Sequence, residues 1–264
     1  MLGSSMEPTQ KTYLVVAAHP DDADFAISGS VARLTREGNT VHYLVLTSGD
    51  AGTEDTSISR EELAALREAE QDAAGRVLGL SSTAYLRLPD GELEPSLAVR
   101  KEVVRHIRRV RADVVLCQDP RMLVSDDSVY VNHPDHRAAG QVAIDAAFPG
   151  AGNPGAYRDL TAAGFPSYKV TEIWLYMTNA DRVNYWMDIS QTFDQKMQAL
   201  VEHESQIGPS VRTGEFRAMM EDWSRQSAER GKIEGTFAEG FQRIVLEQEK
   251  RPTEAEAVEV RTEG

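Results

Sequence analysis

Residues 12–18 (TYLVVAA) are apolar without a break, and the next apolar positions fall at helical spacing over 24–37, where Gly38 stops them. Thr40–Thr47 (TVHYLVLT) then has the length and composition of a second strand. The order is β-α-β, and it continues. Ser59 and Glu62 form a capping-box signature opening a helix through AALREAEQDAAGRVL, and Gly79 suits the left-handed residue that ends one. Residues 83–88 predict a short strand closed by the turn Pro89-Asp90-Gly91, 96–110 a helix basic on one face, 113–117 a strand and 135–148 a helix. Such alternation predicts an α/β fold with a Rossmann-like, doubly wound, mostly parallel sheet.

Beyond residue 148 the pattern loosens. A Gly/Pro-rich loop occupies 149–166, residues 170–177 and 184–189 read as strands, and 191–204 reads as a helix. These features suggest one domain over 12–246, its 149–246 part capping the sheet. Residues 1–11 and the charge-rich 247–264 have no core-forming period and are expected to be disordered, the latter after a frayed helix from Val245.

Composition narrows the classes of function. With 264 residues the chain can bury a full core, and its net charge of −14 argues against a nucleic-acid backbone or an anionic membrane as partner. No apolar stretch reaches transmembrane length, and MLGSSMEPTQK lacks the apolar segment of a signal peptide. The expected setting is cytoplasmic. Cys117 is the single cysteine, so no internal disulfide can form, which suits a reducing compartment.

Two copies of one frame carry the chemistry: His19-Pro20-Asp21-Asp22 where the first strand stops, and His133-Pro134-Asp135-His136 after the 113–117 strand and one long loop. A single His-Pro-Asp triplet is readily a turn with an Asx-type cap. Two copies at strand ends on the same rim of a parallel sheet ask for more, because that rim is where such folds bind ligands. Two imidazoles and a carboxylate suit Zn²⁺ with an open position, whereas a closed structural zinc site would more often use cysteines. His42, alternating along a strand, and His106, among arginines on a helix, have no partner pattern.

HPDDADF after the first strand, LTSGDAGT after the second, LREAEQDAAGRVLGL, LPDGEL, NHPDHRAAG and VEHESQ together resemble the PIG-L/LmbE-like family of zinc-dependent N-acetylglucosaminyl deacetylases, over residues 14–241. The resemblance implies hydrolysis of the N-acetyl group of a glucosamine-type sugar or conjugate, a small acyl-amino-sugar substrate, and Zn²⁺, or Fe²⁺ or another divalent ion, as cofactor. Carried over position by position, it makes His19, Asp22 and His136 metal ligands. Asp21 becomes the general base, and His133 stabilises the oxyanion or protonates the leaving amine. Asp50, Arg67 and Asp90 become candidate substrate contacts, although Arg67 with Glu70 also fits a plain i,i+3 ion pair and Asp90 a plain turn residue. His203 is expected to shape the pocket. Where many members have Glu after the two aspartates, Ala23 stands here and Asp24 follows; orienting a ligand histidine and capping the next helix are both open to it.

Two other readings compete. The same site could serve an amidase of cysteine-sugar conjugates or another amide hydrolase. A non-catalytic Rossmann-like binding domain would need a glycine-rich first β-α turn, and AHPDDADF has no glycine. Substrate identity and assembly into a homo-oligomer are not written in the sequence.

Overall fold

The computed structural model describes residues 10–126, 128–208 and 214–246. Its chain order is β1 Thr12–Ala17, α1 Asp22–Arg36, β2 Thr40–Thr47, α2 Arg60–Leu78, β3 Ser82–Leu88, α3 Leu97–Val110, β4 Val114–Gln118 and α4 Pro134–Asp145. A π-type turn at Ala146–Ala151 leads to α5 Arg158–Ala162, β5 Glu172–Tyr176, β6 Tyr185–Asp188, α6 Phe193–Val201, α7 Glu204–Ile207, α8 Gly214–Gly231 and β7 Ala238–Val245. The strands form one seven-stranded sheet in the order β3-β2-β1-β4-β5-β7-β6. β3 to β5 are mutually parallel, β7 runs antiparallel to β5, and β6 antiparallel to β7.

β1 is apolar and buried from Tyr13 to Ala17 because helices cover both sheet faces, as a buried parallel strand requires. Leu14 and Val16 pack with α3 and α4, through Val103, Ile107 and Val142. Tyr13, Val15 and Ala17 pack on the opposite face with Ile27 and Val31 of α1 and Leu78 of α2. Ser59 and Glu62 complete the expected capping box, and Gly79 ends α2 at φ 75°. α4 approaches the end of β4 so closely that a Cβ on Gly140 would lie 2.1 Å from the Gln118 carbonyl oxygen. That contact anchors the helix whose first turn carries the second tetrad.

The regular first half keeps its expected elements, with ends shifted by a residue or two; the 135–148 helix is shorter, ending at Asp145. The later half corrects the expectation. The segment assigned to capping supplies β5, β6 and β7 to the sheet itself, and α8 and β7 carry no clear period in the sequence. α8 is mostly polar, burying only Phe216, Met220, Ser224 and Ala228. The 191–204 helix divides into α6 and α7 around His203. The expectations for residues 1–9 and 247–264 lie outside the described residues. Among the described residues no helix is long and apolar enough to cross a membrane.

Candidate active site

The strand order reverses between β1, which is followed by β2 on one side, and β4 on the other, and the crevice beyond their carboxyl ends is where an open parallel sheet binds ligands. His19 leaves β1 directly, and the first turn of α1 supplies Asp22 and Asp24. From the other side the loop after β4 delivers His133 to the N-cap of α4, with Asp135 and His136 in its first turn.

Asp22 sits at the centre. Its Oδ2 accepts the His19 backbone N–H at 2.7 Å and the Gln118 side-chain amide at 3.0 Å. His136 Nε2 lies 3.0 Å from Asp22 Oδ1, and His19 Nδ1 lies 3.4 Å from Oδ2. The other nitrogen of each ring is already engaged. His136 Nδ1 donates to Asn132 Oδ1 at 2.8 Å, the Asn132 amide being oriented by its donation to the Met122 carbonyl at 2.7 Å. His19 Nε2 lies 3.0 Å from Asp90 Oδ1 and 3.3 Å from Asp135 Oδ2. In neutral rings, His19 Nδ1 and His136 Nε2 are therefore bare lone pairs facing carboxylate oxygens, which is repulsive unless a cation or proton lies between them.

The electrostatics carry the same message. Burial alone would lower the pKa of His19, yet the charge of Asp22 and bonds to Asp135, Asp22 and Asp90 push it up to about 12. Asp22 is held well below the usual carboxylate range, its burial outweighed by His136 and His19. Asp90 is drawn down to about 2, its burial outweighed by the bond from His19 and that ring's charge. The cluster is short of positive charge, and a divalent ion on its nitrogen-oxygen-nitrogen donors would supply it.

Among the described residues, two sets of donor atoms lie within 4.8 Å of one another: His19, His133 and His136, and His19, Asp90 and Asp135. The second set orients a ring. Asp135 is fully buried, and its oxygens take the Gly91 N–H at 2.8 Å and the Leu93 N–H at 3.3 Å, while Asp90 takes the Ala51 N–H at 3.2 Å. Both carboxylates are thus fixed where they receive the His19 Nε2 proton. His133 differs from the other two imidazoles, because its side chain is 40% exposed and its Nδ1 accepts the Asp135 N–H at 3.2 Å. That bond places the proton of the neutral ring on Nε2. Burial, then the charge of His19, lowers its pKa, which keeps the ring neutral at pH 7.

Asp21 stands beside the cluster without bonding to an imidazole. Its φ of 89° is one that few residues other than glycine adopt, and two neighbours hold it there. Gln71 Oε1 accepts the Asp21 N–H at 2.9 Å, and Arg67 Nη2 reaches the carboxylate at 3.3 Å. Burial, then the charge of Asp22, pushes the Asp21 carboxyl up to about 7 against the pull of Arg67, His203 and His19; a bound cation would draw it back down.

The structure brings His19, Asp21, Asp22, Asp90, His133 and His136 together, and it gives other expected residues supporting positions. Arg67 is buried and donates to the carbonyls of Gly49 at 2.8 Å and Pro20 at 2.9 Å, so it ties the second-strand turn to the first tetrad. Gly49 has φ 62°, and a Cβ there would lie 2.2 Å from the guanidinium. The i,i+3 pair with Glu70 does not form; Glu70 instead accepts from Ser205 N–H and hydroxyl at 2.8 and 2.6 Å. Asp50 accepts from Arg60 at 2.7 Å and from the Asp90 N–H at 3.0 Å, and so steadies Asp90. Asp24 neither caps α1 nor touches His19 or His136. Fully buried, it receives Tyr43 Oη at 3.1 Å, Gln71 Nε2 at 2.8 Å and His203 Nε2 at 2.8 Å.

Sequence reasoning missed Asn132, Gln118, Gln71 and Asp135. Two signals were present: Gln118 ends an apolar strand with a buried amide, and Asn132 stands four residues before His136. Nothing local marks Gln71, and the repeated frame marks Asp135 without its role, because the Asp21 N–H that Gln71 receives and the Gly91 and Leu93 N–H groups that Asp135 receives lie 40 or more residues away.

Comparison with known proteins identifies relatives of this chain. The profile of GlcNAc-PI de-N-acetylases (PIG-L) matches residues 14–147. The chain is 36% identical to the diacetylchitobiose deacetylase of Thermococcus kodakarensis, over 76% of this chain and 72% of that protein. It is 29% identical to a probable N-acetyl-α-D-glucosaminyl L-malate deacetylase 2 of Bacillus anthracis, over 52% of this chain and 59% of that protein. Among solved structures, N,N'-diacetylchitobiose deacetylase from Pyrococcus horikoshii, in complex with an inhibitor, superposes with a TM-score of 0.79 at 30% identity, covering 90% of this chain and 85% of that one. With both tetrads on one rim and these relatives along most of its length, the chain belongs to the PIG-L family of de-N-acetylases.

Proposed function

We propose that this protein is a divalent-metal-dependent N-deacetylase that releases acetate from a 2-acetamido sugar of the glucosamine type, free or within a conjugate. The observation that carries the reading is the convergence of the His19 and His136 lone pairs on the Asp22 carboxylate, with one carboxylate and one imidazole left over beside them. His19, Asp22 and His136 would hold the ion, and their nitrogen and oxygen donors fit Zn²⁺. When bound, such an ion polarises the acetamide carbonyl and makes water a competent nucleophile near neutral pH.

The chain's own residues supply the rest. Asp21, adjacent to a ligand but unbonded to the imidazoles, takes the proton of the attacking water as its oxygen bonds to the acetyl carbon. His133 donates from Nε2 to the carbonyl oxygen as negative charge develops there, a role suited to a neutral ring with Nδ1 already occupied. Breaking the C–N bond returns the proton to the departing nitrogen, and the products are acetate and the free amino sugar. Asp90, Asp135 and Asn132 keep the two ligand rings turned toward Asp22, and Arg67 and Gln71 hold Asp21 in its unusual backbone conformation.

Acetate release from a panel of N-acetylglucosamine derivatives by zinc-reconstituted protein tests this reading. Turnover of at least one member, abolished by chelation, is the expected result. A protein that binds one ion per chain yet hydrolyses none of them is not a sugar deacetylase.

A further inference from the structure

Asp21 is braced on two sides, by Gln71 at its N–H and by Arg67 at its carboxylate, and both braces lead back to one short segment late in the chain, residues 203–206. Gln71 Nε2 donates to Asp24 Oδ2 at 2.8 Å, and the same oxygen receives His203 Nε2 at 2.8 Å. Tyr43 Oη donates to the other oxygen at 3.1 Å. His203, Asp24 and Gln71 are each 1% exposed or less, so any of these bonds, once lost, leaves a buried polar group unpaired. The neighbours of His203 hold the second brace. Ser205 donates its N–H and hydroxyl to Glu70, next to Gln71 on α2, at 2.8 and 2.6 Å, and Gln206 donates to the Gly52 carbonyl at 3.2 Å. Gly52 lies against Arg67, since a Cβ there would come within 2.4 Å of the guanidinium.

The direction of these bonds decides what they do. Surrounded by three donors, Asp24 offers Gln71 only an acceptor, so the amide turns Nε2 toward it and leaves Oε1 facing the Asp21 N–H at 2.9 Å. The opposite orientation would set oxygen against carboxylate and N–H against N–H. It would also release Asp21 from a φ of 89°, which an aspartate keeps only under constraint. His203 in turn fixes Asp24, because its backbone belongs to two helices at once. Its N–H donates to the Leu200 carbonyl of α6 at 3.1 Å, and its carbonyl accepts from Gln206 and Ile207 of α7, both at 3.1 Å. The ring therefore enters the cluster from a corner that α6 and α7 hold together.

We infer that His203 is a positioning residue for the proton-transfer step: through Asp24 and Gln71 it holds the backbone of Asp21, and so aims that carboxylate at the attacking water. The inference rests on the deacetylase reading, in which Asp21 is the base, and gives the α6–α7 corner, 179 residues from Asp24 in the chain, a part in the rate. A ring that only filled space could be replaced by methionine without loss of rate. A required donor could not.

The test compares His203→Met with His203→Gln in the zinc-loaded protein, because both fill the space of the ring while only glutamine keeps an N–H near the place of Nε2. His203→Met should retain its ion and its KM for the N-acetylglucosamine derivative turned over best, and lose between about tenfold and a hundredfold in kcat. His203→Gln should recover most of that loss. Equal rates in the two variants overturn the inference. Exchange of the Asp21 amide hydrogen, followed by NMR, reads the same link without substrate: its protection should fall by roughly tenfold or more in His203→Met and return in His203→Gln, with the β4 amides unchanged. That loss of protection supports the positioning even where no acetate is released, which separates it from the deacetylase reading, and wild-type protection of Asp21 in His203→Met refutes it whatever the rate. Should His203→Met fail to fold, Gln71→Met cuts the same chain one bond nearer Asp21; an equal fall in kcat and in Asp21 protection supports the inference, and a normal kcat overturns it.

Discussion

The two tetrads share their first three residues, His-Pro-Asp, and yet the fold gives those residues opposite work. In the first, His19 is buried against Asp22, and the third residue, Asp21, is held at φ 89° beside the cluster. In the second the first residue, His133, is the half-exposed one, and the third, Asp135, is fully buried and bonded to Gly91, Leu93 and His19. Only the fourth residues, Asp22 and His136, do matching things, since they face each other at 3.0 Å. The difference arises from what each tetrad enters. The first turns into α1 through a residue of positive φ, which swings Asp21 aside, whereas the second enters α4 through His133 as N-cap, which points Asp135 into the protein. A repeated motif therefore fixes where chemistry occurs and leaves each residue's role to local backbone geometry.

Breaking the shared fourth position should have the largest effect. His136→Ala removes a donor from both the ion and Asp22, and metal content by elemental analysis should fall from one ion per chain to near zero, with activity at background. Retained metal in this variant would mean that His133 is a ligand, which would erase the contrast between the tetrads. His133→Ala should instead keep its metal and lose about 10²- to 10³-fold in kcat, the typical worth of one oxyanion donor. Because the ring is already neutral at pH 7, that variant should retain the alkaline limb of its rate profile; its disappearance would make His133 a general acid. Asp135→Asn should be milder, about 10- to 100-fold in metal affinity or activity, as expected for a group that orients a ligand from behind.

The amino end of the sheet provides the smallest and most independent check, because its buried carboxylate is fully paired. Glu172 receives Lys11 at 2.8 Å, Arg243 at 2.7 and 3.0 Å and the Trp174 indole at 2.8 Å. Burial opposes its ionisation, but the bonds from Arg243 and Lys11 prevail and draw its pKa from 4.5 down to about 2. A carboxyl depressed in the folded state contributes stability that is fully present above the unfolded value and lost as pH falls through the folded one. Glu172→Gln should therefore cost on the order of 2 kcal/mol at pH 7, allowing for the partly solvated Lys11 and Arg243, and the gap in Tm from wild type should close between about pH 4.5 and 2. A gap independent of pH would mean that shape, not charge, holds this end together.

Much of this architecture was legible in residue order. Continuous apolar strands, the Ser59–Glu62 capping box and Gly79 place the first half, and the two tetrads mark the rim. What could not be read depends on contacts between distant segments. Asp24 meets His203 across 179 residues, and Asp135 meets Gly91 across 44. The resemblance alone makes Arg67 a candidate substrate contact; its partners in the structure are the Gly49 and Pro20 carbonyls and the Asp21 carboxylate, which no sequence pattern marks. β7 hid for a related reason. Its Glu239 is an improbable residue for an interior strand until Lys196 of α6 and the N–H groups of Gly29 and Ser30 close around it.

The central claim is that neighbouring carboxylates in the first tetrad have separate tasks, Asp22 binding the ion and Asp21 moving the proton. Metal content and turnover measured on the same preparations of Asp21→Asn and Asp22→Asn test it directly. Asp21→Asn should stay folded with one ion per chain and lose about 10²- to 10⁴-fold in kcat with KM little changed, while Asp22→Asn should lose the ion itself. If Asp21→Asn is stripped of metal, or turns over at near the wild-type rate with its ion in place, the assignment of the two carboxylates is wrong.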